Sequence, residues 1–536
     1  MTITMADAPS PLRSRGRPRS RPRLRPLCAA LTLAALAGLS TAPASQAAWT
    51  FTPRLDASET YSDNVALQAD SLAQSQWVSM LMPGFTLADH GPRLQFDASY
   101  GKRFYNYSKG STDGISNGDQ QLSATAKARL IGELLFIDAN ASIARQTVSA
   151  FGPDTSGQFG NGVANTNSSE VKSYHVSPYL QQHFGSTADL TLRIAHDSVQ
   201  ADNILLGNTA TNTVAIDVQS GAAFHVLGWG LDLSRMVQNN NLAQTTSSES
   251  ANGTLRYLYS QQLTFSLGAG YDKFDYQTLG GVTQGKSWST GLTWTPSTRS
   301  SVQASIGKRY FGDNYLLAVN HRSRLSVWRL NYTDAVTTSQ QQFVLPASIS
   351  TATLLDGLFA GQISDPAARA QAVQAYILST GLPPSLANNI NYFSNSYFLQ
   401  KQLQASAAFN PGPRTTLIVT LANMQRTGLS TVQTASDLLG PNASALNDNL
   451  RQRSATAVLN WRWSARTAVN VAADYSTTRS EQLGNNGNNK ALRLALNHRL
   501  AQRLTANLEL RRVQGALGGG SHYTENAITA TLSKQF

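Results

Sequence analysis

The last twelve residues of the chain read ENAITATLSKQF (525–536). In an extended strand, side chains alternate between faces with period two. Ile528, Ala530, Leu532 and Phe536 therefore share one side, and Thr529, Thr531, Ser533 and Gln535 share the other. Chain ends usually fray unless something ties them down. A strand kept regular to its final residue needs a pairing partner there and an apolar medium on one side.

The same alternation recurs along the chain. Leu492, Leu494 and Leu496 alternate with Arg493, Ala495 and Asn497; Ala455, Ala457, Leu459, Trp461 and Trp463 alternate with Thr456, Val458, Asn460 and Arg462. Tight turns of Gly, Pro and Ser type separate pairs of such runs: DHGPR (89–93), IGE (131–133), FGST (184–187), SQQ (260–262), PSTR (296–299), NPGPR (410–414), SART (464–467) and AQR (501–503). Between successive pairs lie longer connections rich in Asn, Gly, Ser and Thr, such as AFGPDTSGQFGNGVANTNSSE (150–170) and TGLSTVQTASDLLGPNASALNDN (427–449). Short and long connections take turns. A sandwich has no reason to obey that rule, whereas a transmembrane barrel has short turns at its periplasmic end and long loops outside. The expectation is an all-β chain: a transmembrane antiparallel outer-membrane β-barrel of roughly 22 strands, about two more or fewer, with both termini periplasmic.

Such a barrel must close, because in hydrocarbon every backbone polar group needs an internal partner. The final strand would then meet the first, its apolar face on lipid. Trp294, Trp328, Trp461 and Trp463 all lie near inferred periplasmic turns, as an aromatic girdle at the membrane boundary would.

The N-terminus has a different character. RSRGRPRSRPRLR (13–25) precedes the short apolar run LCAALTLAALAGL (27–39), which is followed by STAPASQAA (40–48). A basic region, a short apolar core and a small-residue end describe a secretory signal peptide, here residues 1–47, with residues 48–536 as the barrel. Removing its seven arginines and one acid lowers the net charge from +12 to +6. The basic balance is then poor evidence for nucleic acid binding. The single cysteine, Cys28, lies in this segment, so the mature chain offers no thiolate chemistry.

One connection, residues 340–394, differs from the rest. In DPAARAQAVQAYILSTG (365–381), Asp365 suits an N-cap, Pro366 the first helical position and Gly381 the residue after the helix. Ala370, Val373 and Ile377 would form its apolar face. The insert is expected either outside the barrel, as a helix shielding its own loop, or inside, occluding the pore.

Two resemblances add to this. A C-terminal aromatic preceded by alternating apolar residues is similar to the signal read by the barrel-assembly machinery; Lys534 departs from it, at a position usually apolar. FTPRLDASETYSDNVALQ (51–68) followed by MPGFTLADHGPRLQFDASYGKRFYNY (82–107) resembles the opening of the PEP-CTERM-system-associated outer-membrane proteins, through ETYSDNV (59–65), PGF (83–85) and Tyr100, Tyr105 and Tyr107. The resemblance covers about sixty residues. It implies an outer-membrane barrel linked to exosortase and exopolysaccharide systems, and it brings no catalytic residues.

No HExxH, phosphate loop or GxSxG motif is present. His196, His225, His321, His498 and His522 fall on different hairpins, so no catalytic constellation, metal site or cofactor is expected, and the chain reads as a non-enzyme. In the family-like stretch Tyr61, Ser62, Asp63 and Asn64, Asp63 and Asn64 are candidates for cation contact or for an Asx-type turn. The polar strand faces place Arg193, Arg462, Arg493, Glu509 and Arg511 toward the lumen. Those charges would either favour anionic solutes or pair across neighbouring strands. The leading function is a conduit or accessory barrel of exopolysaccharide export. The alternatives are a general or substrate-specific porin and a structural or adhesive surface barrel. Expected partners are membrane lipid and lipopolysaccharide, the barrel-assembly machinery, and exopolysaccharide with its export machinery.

Overall fold

Period-two alternation becomes a closed wall. In a computed structural model, 22 strands follow one another from β1 (Thr50–Ser62) to β22 (His522–Gln535), each antiparallel to the next. The structure describes residues 49–110, 116–153, 167–202, 207–241, 245–278, 281–344, 351–360, 363–380, 397–412, 414–429, 449–481, 485–516 and 520–536. The expected signal peptide and Gly381 lie outside the described residues.

Closure is made by the first and last strands. β1 pairs with β22 in the register Arg54↔Gln535, Ala57↔Leu532 and Tyr61↔Ile528. The Phe536 amide donates to the Pro53 carbonyl at 3.0 Å, so the ladder runs to the final residue. Leu532 and Phe536 are half exposed on the outer face, while Thr529, Thr531 and Ser533 turn inward. Trp294, Trp328, Trp461 and Trp463 also point outward near the short-turn end. Trp461 and Trp463 stack with ring centroids 6.0 Å apart.

All eight quoted tight turns connect strands at one end, the end that also holds both described termini. Two further connections there, 221–226 and 323–325, carry no Gly-Pro signature. The opposite end holds the longer connections with two exceptions, the first between β11 (Leu263–Thr278) and β12 (Gly281–Ser297), which two residues join. β13 (Ser300–Arg309) and β14 (Gly312–Arg322) join through only Tyr310 and Phe311, with Gly312 at φ 114° supplying the turn.

Among the described residues, the insert between β15 (Ser326–Thr337) and β16 (Phe398–Gly412) contains three helices, α1 (Ser339–Val344), α2 (Thr351–Phe359) and α3 (Pro366–Thr380). The main apolar core of the protein forms between these helices and the inner wall, not within the sheet. Leu354, Leu355, Leu358 and Val373 meet Val327, Ala408, Ile418 and Val458, all inward-facing and almost fully buried.

The occupied lumen as candidate functional site

The insert leaves β15 at the long-loop end. Thr338 Oγ1 accepts from the Gln341 amide at 3.2 Å, and Gln341 Oε1 accepts from the Thr338 amide at 3.2 Å. This reciprocal capping box starts α1 at the rim. Gln342 Nε2 then donates to Gln400 Oε1 of β16 at 2.6 Å. Arg426, fully buried on β17 (Thr415–Gly428), donates to Gln342 Oε1 at 2.8 Å and lies over the Phe398 ring at 4.5 Å. Tyr397, just before β16, also reaches across the lumen. The Tyr397 hydroxyl donates to Gln238 Oε1 and accepts from Thr246 Oγ1, both at 3.3 Å, on β9 (Leu227–Asn240) and β10 (Thr246–Ser260).

α2 and α3 descend from there. In TATLLDGLF, Leu354, Leu355 and Leu358 lie at helical spacing and face the wall. They reach Val327, at the short-turn end of β15. Ten residues separate Val327 from Thr337, ~33 Å along the strand; with a barrel-strand tilt of about 40° the insert penetrates roughly 25 Å, most of a bilayer core. Asp365 caps α3 as expected, its Oδ2 accepting from the Ala368 amide at 2.9 Å. Arg369 and Asp356 pair at 2.7 Å and tie α3 to α2. The expected apolar face of α3 needs one correction. Val373 and Ile377 pack inward with Tyr376, whereas Ala370 is exposed. Tyr376 and Ile377 are three and four residues beyond Val373, which keeps them on its side of the helix. The Tyr376 hydroxyl pairs with Thr416 Oγ1 at 2.6 Å and donates to Asn460 Oδ1 at 3.2 Å. Burial raises the pKa of that hydroxyl, so it stays a neutral donor.

The lumen keeps further surface that the helices do not cover. A chamber of 340 Å³ lies beneath α1, lined by Thr209, Thr211, Thr333, Gln341, Gln400 and Gln402 among others. On the arc from β9 to β13 one level of the inner wall is built from small residues, between the charged side chains Arg256 and Asp272. One cross-strand row reads Gly230, Thr254, Gly268, Ser289, Gly307. The glycines let the small hydroxyl side chains lie flat: a Cβ on Gly268 would stand 2.5 Å from Ser289 Oγ.

The sequence-predicted lumen residues do face inward, but most are already neutralised. Arg193 meets Asp138 at 3.3 Å and lies over Tyr179 at 4.1 Å. Arg493 meets Glu509 at 3.4 Å, and Arg511 meets Glu509 at 3.4 Å and Glu525 at 3.0 Å. Of the two readings of these charges, cross-strand pairing therefore describes Arg193, Arg493, Glu509 and Arg511. Arg462 differs, its guanidinium lying 5.6 Å from the Tyr376 ring. Glu525 was not singled out from sequence; its signal was a carboxylate on the inward parity of the last strand.

The family-like motif sits at the seam. Ser62 Oγ donates to Glu525 Oε1 at 2.7 Å. Asp63 accepts from the Asn526 amide at 2.7 Å and from its Nδ2 at 2.8 Å. Asn64 Nδ2 donates to the Gln68 and Thr524 carbonyls, and its Oδ1 accepts from the Gln68 amide. Tyr61 packs on Trp77 at 5.2 Å. This is the Asx-turn reading: the motif clasps β1 to β22. The histidines stay on separate hairpins, with His196 on Asn212, His321 on Ser300 and His498 on Thr467. Among the described residues no group of three or more His, Cys, Asp or Glu is placed to hold a metal ion.

No protein-family model matches the chain, and no curated protein does. Solved structures do. The FrpB iron transporter from Neisseria meningitidis (F3-3 variant) superposes with a TM-score of 0.50 at 12% identity, over 94% of this chain and 83% of that one. The siderophore receptor PirA from Pseudomonas aeruginosa gives 0.46 at 10% identity, over 92% and 81%. At such identities the likeness concerns the fold alone. The chain is an outer-membrane β-barrel of the Gram-negative kind.

Proposed function

We propose that this barrel is a gated conduit for hydroxyl-rich solute, serving exopolysaccharide export, with the 339–380 helices as its gate. The observation that carries the reading is the docking of α2 and α3 along the inner wall over most of the depth of the lumen. A segment held by one apolar seam and a few hydrogen bonds can leave as a unit, and the polar wall it uncovers would wet readily. The Thr and Gln side chains of the chamber and the Gly/Ser/Thr row on the inner wall offer donors and acceptors suited to sugar hydroxyls. The resemblance of residues 51–107 to exopolysaccharide-linked barrels points the same way. Short turns in these barrels lie in the periplasm, and we assign the short-turn end accordingly. No catalytic step is assigned to the protein.

A solute-uptake porin would share the barrel but not the dependence of polymer yield on it. Disrupting the gene is expected to lower extracellular polysaccharide and leave small-solute uptake intact. Unchanged polysaccharide with impaired uptake of one nutrient would move the assignment to a specific porin.

A further inference from the structure

At the short-turn end a cavity of 490 Å³ opens inside the barrel rim. Four arginines line it: Arg414 from the β16–β17 turn, Arg462 from the end of β18 (Leu450–Arg462), Arg466 from the following turn, and Arg499 from the end of β20 (Asn486–Ala501). Inward-facing Asn497 and Thr505 complete its polar lining, and no Asp or Glu lines it. Backbone hydrogen bonds fix these residues in pairs, Arg462 to Arg414 and Arg499 to Arg466, both at 2.8 Å.

Several arginines elsewhere in the lumen are neutralised. Arg193, Arg309, Arg493 and Arg511 each have a carboxylate within 3.4 Å. At the mouth, four arginines line one cavity whose lining contains no Asp or Glu. Like charges so placed disfavour the empty state and favour an anion. The arginines span the ends of β17 to β20, roughly 14 Å at ~4.8 Å per strand, a reach suited to repeated anionic groups rather than to one small ion. Guanidinium forks match carboxylates in a bidentate manner.

We propose that this mouth binds a carboxylate-bearing polysaccharide as it enters the barrel. The proposal rests on the conduit reading and on the short-turn end being periplasmic. It deepens that reading by naming the substrate class as acidic. It also links recognition to the gate. Arg462 lies over Tyr376 of α3, so a carboxylate drawn to Arg462 competes with the ring that anchors the insert.

The test uses the full barrel folded in detergent, with labelled alginate oligomers, dextran oligomers of equal length and poly-glutamate as probes. Wild type is expected to bind alginate well above dextran, with affinity falling as salt rises. The variant R414Q/R466Q/R499Q, checked for the same heat-modifiable gel shift, is expected to lose alginate affinity about tenfold or more. Alginate binding equal to wild type in that variant would overturn the proposal. So would wild-type binding of poly-glutamate without alginate, which would make the mouth a docking site for an acidic protein segment. Failure here is separable from failure of the conduit. An insert-deleted barrel that conducts but ignores alginate discards only the mouth. A barrel that binds alginate but never conducts discards only the conduit.

Discussion

Ser62 Oγ donates to Glu525 Oε1 at 2.7 Å across 463 positions of the chain. The same carboxylate takes two bonds from Arg511, at 3.0 and 3.1 Å, and is fully buried. Through this group the first strand, the last strand and its neighbour β21 (Leu504–Ala516) are locked at one level. A barrel has one seam where chain ends must find each other, and buried polar side chains hold it here.

Removing the shared carboxylate should therefore weaken closure more than removing its hydroxyl partner. Glu525→Ala leaves Arg511 buried with only Glu509 nearby and should cost about 3 kcal/mol, the lower end for breaking a buried ion pair. Ser62→Ala should cost about 1 kcal/mol. Denaturant unfolding of the purified barrel checks both. Equal effects would mean that the ion pair adds nothing to the seam.

The outer face of the last strand can be tested by parity. Leu532→Asp places a carboxylate on lipid and should slow insertion, at a cost below the ~2–4 kcal/mol of a midplane Lys or Arg. Thr531→Asp, one residue away, points into the wet lumen and should assemble normally. The fraction showing the heat-modifiable gel shift decides this, and a reversed order would contradict the assigned faces.

The gate's hold on the wall should yield to single substitutions without unfolding the barrel. Leu355→Ala empties a fully buried position and should weaken docking by about 2–5 kcal/mol. Tyr376→Phe removes the bonds to Thr416 and Asn460 and should weaken it by about 1 kcal/mol. Limited proteolysis is expected to cut residues 345–396 faster in both variants while the strands stay protected. Loss of the strands at the same rate would show that the insert is part of barrel stability.

Much of this was legible in the sequence, for reasons seen in particular residues. Strand parity is local, so Leu532, Trp461 and Arg493 could be assigned to their faces from their neighbours alone. The Asp365 cap was legible because capping needs only the next three residues. The lumen was harder. Whether Arg493 and Arg511 are available to solute depends on Glu509 and Glu525 across the strand pairs, and cross-strand register is a nonlocal property. The position of the insert was open for the same reason. Leu354, Leu355 and Leu358 announce an apolar helix, but only the facing Ala408, Ile418 and Val458 say that it lies inside. The arginine mouth was invisible because Arg414 and Arg466 sit in turns, where parity assigns no face.

The central claim is that the barrel's own insert controls its lumen, and planar-bilayer conductance tests it most directly. Deleting residues 339–396 with a short linker is expected to convert a small or intermittent current into a large steady one. A second variant, Val327→Cys with Gly357→Cys, covers the case in which the deletion fails to fold. A Cβ on Gly357 would lie 3.4 Å from the Val327 side chain, so a disulfide there would pin α2 to the wall. That variant should stay closed when oxidised and regain wild-type current on reduction. Wild-type conductance in the deletion, or a locked barrel that conducts as freely as a reduced one, would contradict the account.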